Sequence, residues 1–263
     1  MSAHTTHSTV GHAVVTGASS GIGEATARAL SARGYALTLV ARRTELLDAL
    51  RASLSTPSQV FARDLSDSDA AADFLPAAEA AFGPVDVLVN NAGVQYLGEF
   101  ATFDPARGEQ LLRLNLFTPL RLTRAVLPGM IARGRGAIVD IASLAAIAPT
   151  PYMTYYNASK AGLAAASESL RAEVAGAGVH VVTVYPGPVD TPMGQAGYDA
   201  YGDSIAVRAT PMGTTDVMAQ QIIQALDDRV DRIIYPKAYW SARWFPGVTR
   251  WFLDRFTPRP AAK

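Results

Sequence analysis

Short runs of β-branched and aliphatic residues alternate with longer stretches in which Ala and Leu recur at helical spacing, from about residue 12 to about residue 235. The short runs are apolar at consecutive positions, as strands covered on both faces require, so the sheet they build is parallel and buried. The pattern predicts strands at 12–16, 36–40, 59–62, 85–90, 137–141, 179–185 and 232–235. Between them it predicts helices at 23–33, 45–53, 68–81, 105–113, 119–133, 155–175 and 215–227. Such alternation specifies an α/β fold, a doubly wound, mostly parallel sheet of about seven strands with helices on both faces. Gly and Pro cluster at the turns, and no repeat or linker interrupts the pattern, so residues 1–263 read as one domain. Residues 1–10 read as a flexible lead-in, 192–212 as a mobile lid without a helical period, and 238–263 as an aromatic extension.

Composition narrows the chemistry. At 263 residues and 49% apolar, the chain can bury one large core. Lys plus Arg and Asp plus Glu each number 23, so no net field gathers nucleic acid. The absence of Cys excludes disulfides, thiolate catalysis and cysteine-ligated metals. His4, His7 and His12 lie near the start and His180 stands alone, so no metal-ligand spacing arises and no metal site is expected. The first residues lack the basic and apolar regions of a signal peptide, and no apolar run reaches about 18 residues, so a cytoplasmic protein is expected.

Directly after the first predicted strand comes Thr16-Gly17-Ala18-Ser19-Ser20-Gly21-Ile22-Gly23, on which a helix opens. Glycines there let backbone N–H groups and a helix N-terminus approach a pyrophosphate. The spacing is Gly-x-x-x-Gly-x-Gly rather than Gly-x-Gly-x-x-Gly, and a purely structural turn is the alternative. About twenty residues on, where an NAD-binding chain places an acid against the ribose, this one has Arg42 and Arg43. Guanidinium pairs with an adenosine 2′-phosphate, so NADP is the expected cofactor. The alternative is that both arginines only solvate a helix start, where cations oppose the dipole.

Tyr156 and Lys160 sit four apart at the start of a long predicted helix and share one face. Drawing a phenol down by about three pH units takes about 4 kcal/mol, roughly what one cation at about 4 Å supplies at an effective dielectric of about 20. By itself the pair also fits an ordinary exposed helix face.

Taken together, the motifs resemble the short-chain dehydrogenase/reductase family over roughly residues 10–235. Beside the Gly-rich loop and Tyr156-x-x-x-Lys160, the chain carries Asn90-Asn91-Ala92-Gly93 after the fourth strand and Asn115 in LLRLNLF. It also carries Ser143 past the fifth strand, 13 residues before Tyr156, and Pro186-Gly187 after the sixth. The resemblance implies a Rossmann fold and NADP-dependent oxidoreduction of a carbonyl compound or its alcohol. Tyr156 would be the general acid or base, Ser143 would hold the carbonyl oxygen, and Lys160 would lower the Tyr156 pKa and bind the nicotinamide ribose. Asn115 would hold a water relaying protons to Lys160. It further implies cofactor contacts from Gly17, Ser19, Ser20, Gly21, Ile22 and Gly23, from Asp64 and Leu65 at the adenine, and from Asn91, Ala92 and Gly93. Pro186, Gly187, Val189 and Thr191 would lie over the nicotinamide. Taken singly, Ser143 also reads as a strand end, Asn115 as a backbone cap, Asp64 as a helix start and the Pro/Gly segment as a plain turn.

The segments 94–97, 144–153 and 192–212 are rich in Leu, Ile, Met and Tyr and poor in charge, so an apolar ketone, aldehyde or secondary alcohol is the expected substrate. All three Trp fall in the extension, which reads as a stripe packed on its own core or a second subunit, with a membrane interface as the alternative. Family members are commonly dimers or tetramers, so a homodimer or homotetramer is expected. A non-catalytic NADP-binding sensor or scaffold on the same fold is the alternative function.

Overall fold

The computed structural model describes residues 9–201 and 212–258. In chain order the elements are β1 (Gly11–Thr16), α1 (Gly21–Ala32), β2 (Tyr35–Ala41), α2 (Thr44–Ser53), β3 (Ser58–Ala62), α3 (Leu75–Phe82) and β4 (Val87–Asn90). There follow α4 (Pro105–Leu112), a π-helical turn (Arg113–Phe117), α5 (Thr118–Arg133), β5 (Gly136–Ile141) and a 3-10 turn (Leu144–Ala146). The chain continues through α6 (Thr154–Glu173), β6 (Val179–Pro186), α7 (Pro192–Tyr201), α8 (Thr215–Asp228) and β7 (Arg232–Tyr235). A second 3-10 turn (Lys237–Tyr239), α9 (Ser241–Trp244) and α10 (Pro246–Phe256) end it. The seven strands form one sheet in the order β3-β2-β1-β4-β5-β6-β7, every pairing parallel.

Consecutive apolar strand residues feed two cores, one on each face, because side chains alternate sides. Ala13 and Val15 of β1 join Leu37, Leu39, Val87 and Val89 beneath α1, α2 and α8. Val14, Val40, Leu88 and Ile138 point the other way, beneath α3, α5 and α6. All seven predicted strands are present, and the sheet is parallel throughout.

Three elements depart from the sequence expectation. The helix expected at 68–81 is α3, beginning at Leu75. Pro76 has no N–H for an i→i−4 bond and is tolerated only in a first turn, so the preceding residues fold as turns. The described part of the expected lid, up to residue 201, is helical rather than irregular. Thr191 accepts from the Gly194 N–H at 2.9 Å and Pro192 opens α7, a cap and a preset φ that offset its poor helix formers. Residues 202–211 of that lid, most of the lead-in, and 259–263 lie outside the described residues. The aromatic extension folds into α9 and α10, but Trp240, Trp244 and Trp251 are exposed rather than packed on the core. Among the described residues no helix is long and apolar enough to cross a membrane.

Glu168 of α6 ties this C-terminal region to the sheet. Its Oε1 accepts from Tyr185 Oη at 2.7 Å and Arg232 Nε at 2.6 Å, and Arg243 Nη1 of α9 lies 3.5 Å away. The Arg232 guanidinium holds the carboxyl down at about 2. A carboxylate depressed below its ordinary 4.5 stabilises fully above that value and loses the contribution as pH falls through about 2. Glu168→Gln is therefore expected to lower unfolding free energy at neutral pH by on the order of 1–2 kcal/mol. In denaturant titrations the gap between the two proteins should close between about pH 4.5 and 2; a gap independent of pH would contradict this.

Candidate active site

β1 is flanked by β2 on one side and β4 on the other, and the helices leading into these neighbours pack on opposite faces, α1 in one core and α3 in the other. A crevice opens beyond the carboxyl ends of the strands at such a reversal. Here it is a cleft of about 970 Å³ that runs from Arg42 past Gly17 to Ser143 and Tyr156, and ends between α7 and α10.

The loop after β1 is held from below. Thr16 Oγ1 donates to Val89 O at 3.1 Å and accepts from the Asn91 and Ala92 N–H groups, each at 3.0 Å. Asn91 Nδ2 donates to Thr16 O at 2.9 Å and Gly17 O at 3.2 Å. Backbones come so near that a Cβ on Gly23 would strike Gly17 O and Asn91 Nδ2, and Gly17 adopts φ +66°, the left-handed region. No side chain caps α1, so its first N–H groups are free to meet an anion. Gly21 faces Thr191 of the opposite wall, a Cβ there lying 3.0 Å from Thr191 Cγ2.

Guanidiniums collect at this end. Arg43 Nη2 donates to Ser19 Oγ at 2.9 Å and Ser20 Oγ at 2.8 Å, which lays the side chain along the loop. Arg42 and Arg63 line the same wall with Asp64 and Leu65. The Ser66 N–H, bound to Asp64 Oδ1 at 2.9 Å, holds that carboxyl below its ordinary value, with a smaller contribution from Arg42.

At the other end Ser143 follows β5; its Oγ accepts from the Ala145 N–H at 3.1 Å, and its hydroxyl also bonds the Tyr156 phenol. Tyr156 and Lys160 project from α6 and are buried. Lys160 Nζ donates to Ile141 O at 2.7 Å, and burial brings its pKa down to about 8 against the pull of Asp140. Burial pushes the Tyr156 phenol above its ordinary value, and the Ser143 hydroxyl opposes this. The expectation of a phenol drawn down by Lys160 is not met in this geometry, because the ammonium bonds a carbonyl and stands 6.0 Å from the ring centre. Asn115 lies in the π-turn, fully buried, its Oδ1 accepting from Val94 N at 2.9 Å and its Nδ2 donating to Val94 O at 2.8 Å. A Cβ on Gly93 would lie 3.1 Å from Asn115 Oδ1 and 3.6 Å from Lys160 Nζ, so these groups are neighbours behind the cleft wall.

The sequence profile of the short chain dehydrogenase family matches residues 11–201. The chain belongs to the short-chain dehydrogenase/reductase family. It is 37% identical over 212 residues to nodulation protein G of a Rhizobium species, covering 80% of this chain and 86% of that one. It is 32% identical over 224 residues to the ketoacyl reductase HetN of a Nostoc species, covering 84% and 77%. Among solved structures, a metagenomic short-chain oxidoreductase in complex with NADP superposes with TM-score 0.72 at 36% identity, over 86% of this chain and 96% of that one. A short-chain dehydrogenase from Sphingobium yanoikuyae in complex with NADPH gives 0.77 at 31%, over 97% and 99%.

In this dehydrogenase/reductase the cleft brings together the sequence-predicted residues from Gly17 to Thr191, except Gly21, which faces Thr191, and Gly23 and Asn115, which back lining residues. Pro186, Gly187 and Val189 line it beside Ser143. Sequence reasoning did not single out Arg63, which follows β3 and was masked by the more familiar position after β2. It also missed Thr249, Phe252, Leu253 and Phe256, which close the far end from α10. Their spacing of three and four residues is a helical face, a signal present in the sequence. Thr16→Val keeps the shape but strands two N–H groups and a carbonyl in the interior. It is expected to cost about 2–3 kcal/mol in urea unfolding, and a loss below about 0.5 kcal/mol would show that the loop does not depend on this hydroxyl.

Proposed function

We propose that this protein interconverts an apolar ketone or aldehyde and the corresponding alcohol, with NADP(H) as redox partner and Tyr156 as general acid in reduction and general base in oxidation. The observation that carries the reading is a buried phenol beside the Ser143 hydroxyl at one end of a cleft whose other end gathers three guanidiniums.

The residues present fit the cofactor. The glycine cradle and the uncapped N-terminus of α1 suit a pyrophosphate. Arg42, Arg43 and Arg63 suit a 2′-phosphate, and Arg43 is held by hydroxyls rather than by a carboxylate. Relatives solved with NADP and NADPH support the choice. When bound, the cofactor supplies or accepts a hydride at the substrate carbon.

The chain's own groups manage the oxygen. In reduction, negative charge grows on the carbonyl oxygen, and Ser143 Oγ–H and Tyr156 Oη–H would donate to it, favouring the transition state over the ground state. Because burial raises the phenol pKa, Tyr156 keeps its proton at neutral pH and is ready as the acid. Oxidation needs the phenolate and gains with rising pH for the same reason. Lys160 commits one proton to Ile141 O and keeps two for ribose hydroxyls. Asn115, engaged with Val94, would position the wall behind Lys160. Around the reacting end lie Leu144, Met153, Met193, Tyr198 and Leu253, and Gln95 is one polar neighbour, a lining suited to an apolar carbonyl compound.

Tyr156→Phe should reduce kcat at least about a hundredfold while NADPH affinity stays within about threefold, because only the acid is removed. Turnover at the parent rate would overturn the assignment and favour a binding role for the same fold.

A further inference from the structure

Charge is balanced over the whole chain but not along it. Residues 237–263 hold Lys237, Arg243, Arg250, Arg255, Arg259 and Lys263 against Asp254 alone, a net +5, so the remaining residues carry −5. The same stretch contains all three Trp of the protein. Among its described residues, Trp240, Trp244, Phe245, Val248, Trp251 and Phe256 are each more than half exposed. Trp240 and Trp244 rings sit 5.6 Å apart, and Trp251 stacks edge-on against Phe252 at 5.0 Å, so the aromatics form patches. Soluble surfaces rarely leave two such aromatic clusters bare.

We propose that α9 and α10 form an interfacial face that docks on an anionic lipid bilayer. Indole rings and basic side chains mixed on a short helical segment suit the headgroup boundary, where rings enter the acyl edge and guanidiniums meet lipid phosphates. A second copy of this chain fits less well, since a two-fold contact would set a cationic patch against itself. The face is held to the body. Arg243 reaches Glu168 at 3.5 Å, and the Tyr239 ring packs so close to Gly187 that an added Cβ would lie 3.1 Å from it. Thr249, Phe252 and Leu253 of α10 line the cleft, so docking would set the cleft mouth at the membrane surface. On the reading of the preceding subsection, an apolar substrate would then enter from lipid.

Vesicle binding tests the proposal without turnover, so its failure and that of the catalytic reading are distinguishable. The intact protein is mixed with phosphatidylcholine vesicles with or without phosphatidylglycerol, and sedimentation and tryptophan emission are followed. Emission is expected to shift to shorter wavelength and the protein to sediment with the anionic vesicles at least about tenfold more tightly than with phosphatidylcholine alone, an advantage lost in about 0.5 M salt. Trp244→Glu with Trp251→Glu, both outside the cleft lining, should weaken binding at least about tenfold at unchanged thermal stability. Arg250→Glu with Arg255→Glu should do the same on anionic vesicles alone. Absence of binding to anionic vesicles, or binding indifferent to both double variants, would overturn the proposal. So would a lipid-free oligomer with already shifted emission that Trp244→Glu with Trp251→Glu splits, because a second copy would then cover the face.

Discussion

The site rests on one close approach, that of the loop after β1 to the loop after β4. A single hydroxyl, Thr16 Oγ1, satisfies two N–H groups and a carbonyl there, and Asn91 returns two bonds from the other side. Buried backbone groups must be paired, so this stitch allows two adjacent strands to end in loops that nearly touch. The contact leaves no room for a Cβ at Gly23, and it keeps the N-terminus of α1, with Ser20 and Ile22, at the cleft lining. The remaining groups inherit their places from the sheet. Arg42 and Arg43 follow β2, Arg63 and Asp64 follow β3, and Ser143 follows β5.

Burial sets the electrostatics of the reacting end. Lys160 and Tyr156 are both withdrawn from water, which disfavours the ammonium and the phenolate alike. The site is therefore poised with a protonated phenol. Lys160 is fixed by the Ile141 carbonyl and the field of Asp140, while Asp140 itself takes a hydrogen bond from Asn90 at 2.8 Å. These two polar side chains extend the acid–base end into the sheet.

Much of this was legible in the sequence, for physical reasons that differ by element. Strands buried on both faces leave uninterrupted apolar runs, and all seven were visible. The start of α3 was not, because the periodicity of 68–74 suggests a helix that Pro76 forbids beyond a first turn. α7 was hidden by its two glycines, and its Thr191-Pro192 cap carried the signal that composition obscured. Spacing alone left the Gly-rich loop open to a plain turn and Tyr156 with Lys160 open to an ordinary helix face; the ordered set of motifs singled them out, and the fold brings them to one cleft. The direction of the Tyr156 shift was not readable, because it depends on depth beneath the surface and on which carbonyl Lys160 takes. Nor was the closure of the cleft by α10, which joins residues some 230 positions apart in the chain, Gly17 and Leu253 among them.

The central claim is that the glycine cradle and the arginines beyond β2 and β3 form a site for a phosphorylated dinucleotide. It is tested most directly by titrating the purified protein with NADPH and NADH and comparing the two dissociation constants. NADPH is expected to bind at least about tenfold more tightly, the share that one charge-assisted phosphate contact contributes. Equal or tighter binding of NADH would contradict the role given to the arginines, and binding of neither would contradict the site itself.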